Sequence, residues 1–78
     1  MSYSEKDQVL LRQIGENIRR MRKIKGLSQE ALAFRAELDR TYLGSVERGE
    51  RNIAVINLVR ISKALEIEVE ALFKTLPY

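Results

Sequence analysis

The chain has no cysteine and no histidine among its 78 residues. Without cysteine there is no disulfide framework and no thiolate metal site. Without histidine, the usual zinc ligand and the commonest general base near neutral pH are gone. The carboxylates Glu47 and Glu50 lie close in sequence but beside Arg48 and Arg51, and no glycine-rich phosphate loop accompanies them. No catalytic residue, metal or cofactor is therefore expected. Proline occurs once and glycine four times, which favours long regular elements over loops. No apolar run approaches the roughly 20 residues of a membrane helix. The opening "MSYSEKDQVLLRQ" lacks the basic start and apolar middle of a signal peptide. A cytoplasmic protein with no membrane partner is the expectation.

What remains is a chain of 45% hydrophobic and 32% charged residues, a globular balance. Its length suits one domain over residues 1–78, near the lower limit for a single unstapled core. The net charge is +3 and is unevenly placed. Arg19, Arg20, Arg22, Lys23 and Lys25 follow one another with no acid between them. From Ile53 onward, Arg60, Lys63 and Lys74 are cancelled by Glu66, Glu68 and Glu70. A basic patch beside a neutral end fits a polyanionic partner. The same run also suits a solvated helix end, where cations complement the helix dipole.

Leu11, Ile14, Ile18 and Met21 recur at spacings of three and four, the apolar stripe of a first helix. Ser4 caps its start with Asp7 three residues on, and Gly26 suits the left-handed position past its end. Ser28 caps a short second helix carrying Leu32 and Ala33 inward. Asp39 caps a third, from about Arg40 to Arg48, with Leu43 and Val46 inward and Gly49 as its stop. Leu58, Ile61 and Leu65 form the stripe of a fourth. A last short turn holds Val69, Leu72 and Phe73, and Pro77 forbids continuation. No run alternates as a strand would. The expected fold is all-α, a compact bundle of five helices, with the second and third joined as a helix-turn-helix over about residues 28–48.

At about 100° per residue, Leu43, Val46 and Glu47 share one side of the third helix. Arg40, Thr41, Gly44, Ser45 and Arg48 fall on the other, facing either water or a negatively charged surface. Arg40 and Thr41 stand at the N-terminal end, where a major-groove helix meets base edges. Arginine offers a two-pronged donor to guanine, and threonine a hydroxyl and a methyl. Gly44 costs about 1 kcal/mol against alanine in a helix interior. Its missing side chain lets the backbone approach a groove or phosphate, unless it is merely tolerated on an exposed face.

"LSQEALAFRAELDRTYLGSVERGERNI" resembles the lambda-repressor-like, or XRE-type, helix-turn-helix regulators. "SQEALA" at 28–33 and "ERG" at 47–49 are the most specific pieces, and the likeness runs from about Ile14 to Phe73. "DRTY" followed by "ERGERN" looks most like the controller proteins of restriction–modification systems. The resemblance implies base contacts from Arg40, Thr41, Tyr42 and Ser45. It implies phosphate contacts from Ser28, Gln29, Arg35, Arg51 and Asn52, with a helix N-terminus supplying the anion site. It implies a structural ion pair between Arg22 and Glu47. Double-stranded DNA, a second copy of the chain and RNA polymerase are the implied partners, in a nucleoid-associated bacterial protein. Glu37 and Glu66 stand where turn glycines are common in the family. Ile53 and Ala54 replace a Pro-Ser helix opening, leaving Asn52 to cap the fourth helix.

Val55, Ile56 and Val59 lie off the fourth helix's core stripe. With Ile67, Val69 and Phe73 they supply a dimer interface within about residues 54–78, unless the domain buries them itself. An antitoxin-like or phage-type repressor, holding chiefly another protein, is the alternative reading. Such a protein usually carries a further segment for its partner, whereas this chain ends soon after Phe73. RNA binding lacks its aromatic platform, since Phe34, Tyr42 and Phe73 are not clustered in sequence. Phe34 falls on the outer side of the second helix with no assigned role.

Overall fold

The computed structural model describes residues 2–74. Four α-helices lie in the order α1 (Glu5–Ile24), α2 (Gln29–Ala36), α3 (Arg40–Glu47) and α4 (Val55–Leu65), followed by a 3-10 turn at Val69–Phe73. No strand occurs among these residues. The expected fifth helix is thus a 3-10 turn: five residues are too few to sustain an α-helical hydrogen-bond ladder. Pro77 lies outside the described residues.

Polar caps set the helix boundaries. Ser4 and Asp7 form a reciprocal capping box at α1. The Ser28 hydroxyl accepts the Ala31 amide at 3.0 Å, and the Asp39 carboxylate accepts that of Tyr42 at 3.0 Å. Gly26 closes α1 at φ 71° and Gly49 closes α3 at φ 77°. Glu37 and Glu66 both sit at φ 58°, so each accepts a left-handed backbone at a cost of about 1–2 kcal/mol. Their amides still bond back to the ends of α2 and α4. Asn52 does not cap α4, whose N-cap position is Ala54, with no side-chain cap.

α1 packs against α3 and the 3-10 turn, while α2 packs against α3 and α4. The core joins Ile14 and Ile18 to Leu32, Leu43, Val46, Leu58, Ile61, Leu65 and Leu72, all buried. Asn17, 1% exposed, interrupts the α1 stripe. Its amide donates to the carbonyls of Leu72 at 2.9 Å and Lys74 at 2.8 Å, tying the 3-10 turn to α1.

Candidate nucleic-acid interface

α2 and α3 form the helix-turn-helix, and α1 braces the second member from behind. Arg22 is 8% exposed and Glu47 7%. Arg22 Nε donates to Glu47 Oε2 at 2.7 Å and Nη2 to Oε1 at 3.0 Å, a two-pronged pair. Arg22 Nη1 donates to the Leu27 carbonyl at 2.8 Å, and Gln29 Nε2 donates to Glu47 Oε1 at 2.9 Å. One carboxylate on α3 therefore joins α1 to the start of α2, and Arg22 ties in the α1–α2 turn. No side-chain polar atom buried among the described residues lacks a partner.

In front of this brace, Arg40 and Thr41 are exposed in the first turn of α3. Arg48 is exposed at its end, where its guanidinium holds Glu50 at 3.0 Å. The hydrogen bond from Arg48 lowers the Glu50 carboxyl's pKa from its ordinary value, and the same bond raises that of Arg48.

Two residues expected on the outward side are covered. Ser45 is 6% exposed. Its hydroxyl donates to the Tyr42 carbonyl at 2.6 Å and accepts Arg51 Nε at 3.3 Å. Ser45 thus sits at the margin of the face, under the incoming loop, and holds Arg51 instead of presenting a free hydroxyl. Gly44 is likewise buried, since a Cβ there would meet Arg48 Nη1 at 3.3 Å and Gln29 Oε1 at 3.5 Å. Its empty space is roofed by those two side chains.

Tyr42 is half-buried against the core. Its hydroxyl receives Asn57 Nδ2 at 3.3 Å, and the Arg51 guanidinium lies 5.8 Å from its ring centroid. Cation–π contact and the Ser45 bond together set Arg51 along the margin of α3. Ser28 is exposed at the N-terminus of α2, beside amides that suit an oxyanion.

The remaining expected phosphate contacts are dispersed. Arg35 borders a separate groove with Arg60 and Lys63 on the α2–α4 side, away from Gln29. A helix only eight residues long still turns its last cation to a different side from its first glutamine. Asn52 is exposed beside Tyr3, Leu10 and Leu11. The basic run at the end of α1 also divides. Arg22 is consumed by Glu47, Arg20 Nη2 bonds Asn17 Oδ1 at 3.1 Å, and Lys23 and Lys25 face solvent.

Val55 and Ile56 are 75% and 67% exposed, and Phe73 is 40% exposed. Val59 is half-buried, and Ile67 and Val69 pack partly against the chain's own core. Phe34 projects from α2 at 85% exposure.

A helix-turn-helix family model matches residues 18–72. The control protein C.SmaI of Serratia marcescens is 49% identical over 59 residues, which make up 76% of this chain and 70% of that protein. The crystal structure of the restriction-modification controller protein C.AhdI from Aeromonas hydrophila superposes with a TM-score of 0.80 at 49% identity. That match covers 81% of this chain and 96% of that one. The controller protein C.Esp1396I, crystallised as a tetramer with its natural 35-base-pair operator, superposes at 0.77 with 39% identity over 86% of this chain and 88% of its own. The chain belongs to the helix-turn-helix family and is similar, within it, to the restriction–modification controller proteins.

Proposed function

We propose that this protein is a controller-type transcription regulator that binds double-stranded DNA sequence-specifically as a homodimer on near-palindromic sites. One observation carries the reading: Arg40 and Thr41 stand exposed on the first turn of a helix whose angle is fixed by the buried Arg22–Glu47–Gln29 network. That arrangement suits a rod inserted in a major groove, with its first side chains against base edges. The operator complex of C.Esp1396I supports it. Residues 1–78 are read as one domain, cytoplasmic and nucleoid-associated, with the exposed Val55 and Ile56 at the centre of self-association and Phe73 at its margin. A two-fold pair sets two reading helices about 34 Å apart, one turn of duplex. Position then decides the sign of regulation. Upstream of a promoter the dimer recruits polymerase, and across it the dimer blocks polymerase.

Selection of bound duplexes from a random pool tests specificity, symmetry and spacing together. Arg40→Ala is expected to flatten preference at its base pair, worth about 1–3 kcal/mol of discrimination. Gln29→Ala or Arg51→Ala is expected to weaken all sites alike. A consensus unchanged by Arg40→Ala would remove that residue from base reading. For the dimer, Ile56→Asp is expected to give monomers in sedimentation that bind DNA weakly, since it places a charge on an apolar contact. An unchanged dimer would place the interface elsewhere.

A further inference from the structure

Arg12, Glu16 and Arg19 recur at spacings of four and three along one side of α1, and none belongs to the helix-turn-helix itself. They form one wall of a groove of about 500 Å³ whose other lining residues are Gln29, Glu47 and Arg48. Gln29 and Arg48 both lie over Gly44, 3.5 and 3.3 Å from where its Cβ would stand, so the groove borders the outward side of α3. Arg40, Gly44 and Arg48 are four residues apart, so the groove opens on the same face as the reading residues.

The charges in this groove do not cancel. Glu47 is neutralised by Arg22. Glu16 lies 3.9 Å from Arg19 with both side chains about half exposed, a weak pair in water. Arg48 is shared with Glu50 at the rim. Arg12 has no ion pair among the described residues, yet its position is built. A Cβ on Gly49 would lie 2.6 Å from Arg12 Cγ and 2.8 Å from its Cα. The glycine that ends α3 thus admits α1 at close range and brings Arg12 into the groove that Arg48 also lines.

We propose that this groove is a phosphodiester-binding site, in which Arg12 and Arg19 of α1 join Arg48 and Gln29 to grip one strand of the duplex beside the reading helix. The inference rests on the DNA-binding reading above and adds α1 as a further contacting element. A major groove about 12 Å wide closely fits a helix about 10–12 Å across. The flanking phosphates therefore lie within an arginine's reach of the side walls. Glu16 is the opposing element: it competes for Arg19 and repels the incoming strand.

The test uses the duplex recovered by selection with the unaltered protein, its dissociation constant measured between 50 and 200 mM salt. Each phosphate contact contributes about 0.9 to the logarithmic salt slope. The Arg12→Gln/Arg19→Gln variant is expected to lose about two units of slope. Its loss of affinity across that range is then about tenfold smaller than that of the parent, with the selected consensus unchanged. Glu16→Gln is expected to bind about twofold tighter or more at the low-salt end, a gain that no defect in folding produces. Arginine Nε resonances of residues 12 and 19 are expected to move on adding duplex. If duplex leaves them unmoved while millimolar inorganic phosphate shifts them, the groove serves a free anion and the strand contact is refuted. Unchanged slopes in variants of a protein that still selects a consensus overturn the groove alone. A parent protein that selects no duplex overturns the DNA-binding reading with it.

Discussion

Glu47→Ala is expected to destabilise the fold by about 3–5 kcal/mol, the cost of stranding one partner of a buried ion pair. The alanine removes both oxygens that receive Arg22 and the one that receives Gln29. Only the Leu27 carbonyl still accepts from the guanidinium of Arg22, a residue buried in the parent. A chain of 78 residues has a total stability of about 4–12 kcal/mol, so the loss is a large share of the whole. At about 4–8 °C per kcal/mol for a domain of this size, melting falls by at least about 12 °C. Pairing Glu47→Leu with Arg22→Met separates two accounts of that loss. If the damage comes from an unpaired buried charge, the double variant recovers most of the stability. DNA recognition would nonetheless suffer in the double variant, because the carboxylate that joins α3 to Gln29 is gone. A single Glu47→Ala variant that melts within about 2 °C of the parent would show that the pair does not hold α3 in place.

The parts legible from the sequence were those decided within a few residues. Ser4, Ser28 and Asp39 cap their helices as local chemistry requires, and Gly26 and Gly49 take the left-handed stops. The apolar stripes of α1 and α4 predicted most of the core because each runs for several turns, although Leu10 and not Leu11 packs against it at the start of α1. Helical spacing also placed Arg40 and Thr41 on the outward side of α3, and both are exposed. It could not see what other elements lay over that side. Ser45 disappears beneath Arg51, which arrives from the following loop, and Gly44 beneath Gln29 of α2. Arg35 shares a helix with Gln29 but borders a groove with α4. Asn17 left a visible trace, a polar residue between the apolar positions Ile14 and Ile18. Its partners lie more than fifty residues away, at Leu72 and Lys74. The basic run at the end of α1 suits either a polyanion or a solvated helix end, and Arg12 stands outside it; the close approach at Gly49 is what brings Arg12 to the end of the reading helix.

Close approach also makes Gly15→Ala a severe change where the helical rule says it should help. Within an exposed helix, glycine to alanine gains about 1 kcal/mol. Gly15 is buried instead, facing the last turn of α3. A Cβ there would fall on the Val46 carbonyl oxygen and lie 2.6 Å from that of Glu47. These are backbone atoms of a helix already fixed by its own ladder, so no side-chain rotation relieves the overlap. Relief requires α1 and α3 to separate, which loosens the Ile14, Ile18, Leu43 and Val46 packing and strains the Arg22–Glu47 pair. Overpacking of this kind costs about 1–3 kcal/mol and more when backbone must move. We expect a net loss of about 3 kcal/mol, seen as a fall in melting temperature of about 12–24 °C. Gly44→Ala is the internal comparison, on α3 itself. Its Cβ would meet the end of Arg48 at 3.3 Å, which can swing aside, and Gln29 at 3.5 Å, an ordinary contact that leaves the bond to Glu47 in place. That variant is expected to melt at or slightly above the parent temperature while weakening DNA binding, because the displaced Arg48 crowds the reading face. Equal melting of the Gly15 and Gly44 variants would mean that α1 does not lie as close to α3 as the structure places it, and the brace behind the reading helix would have to be sought elsewhere.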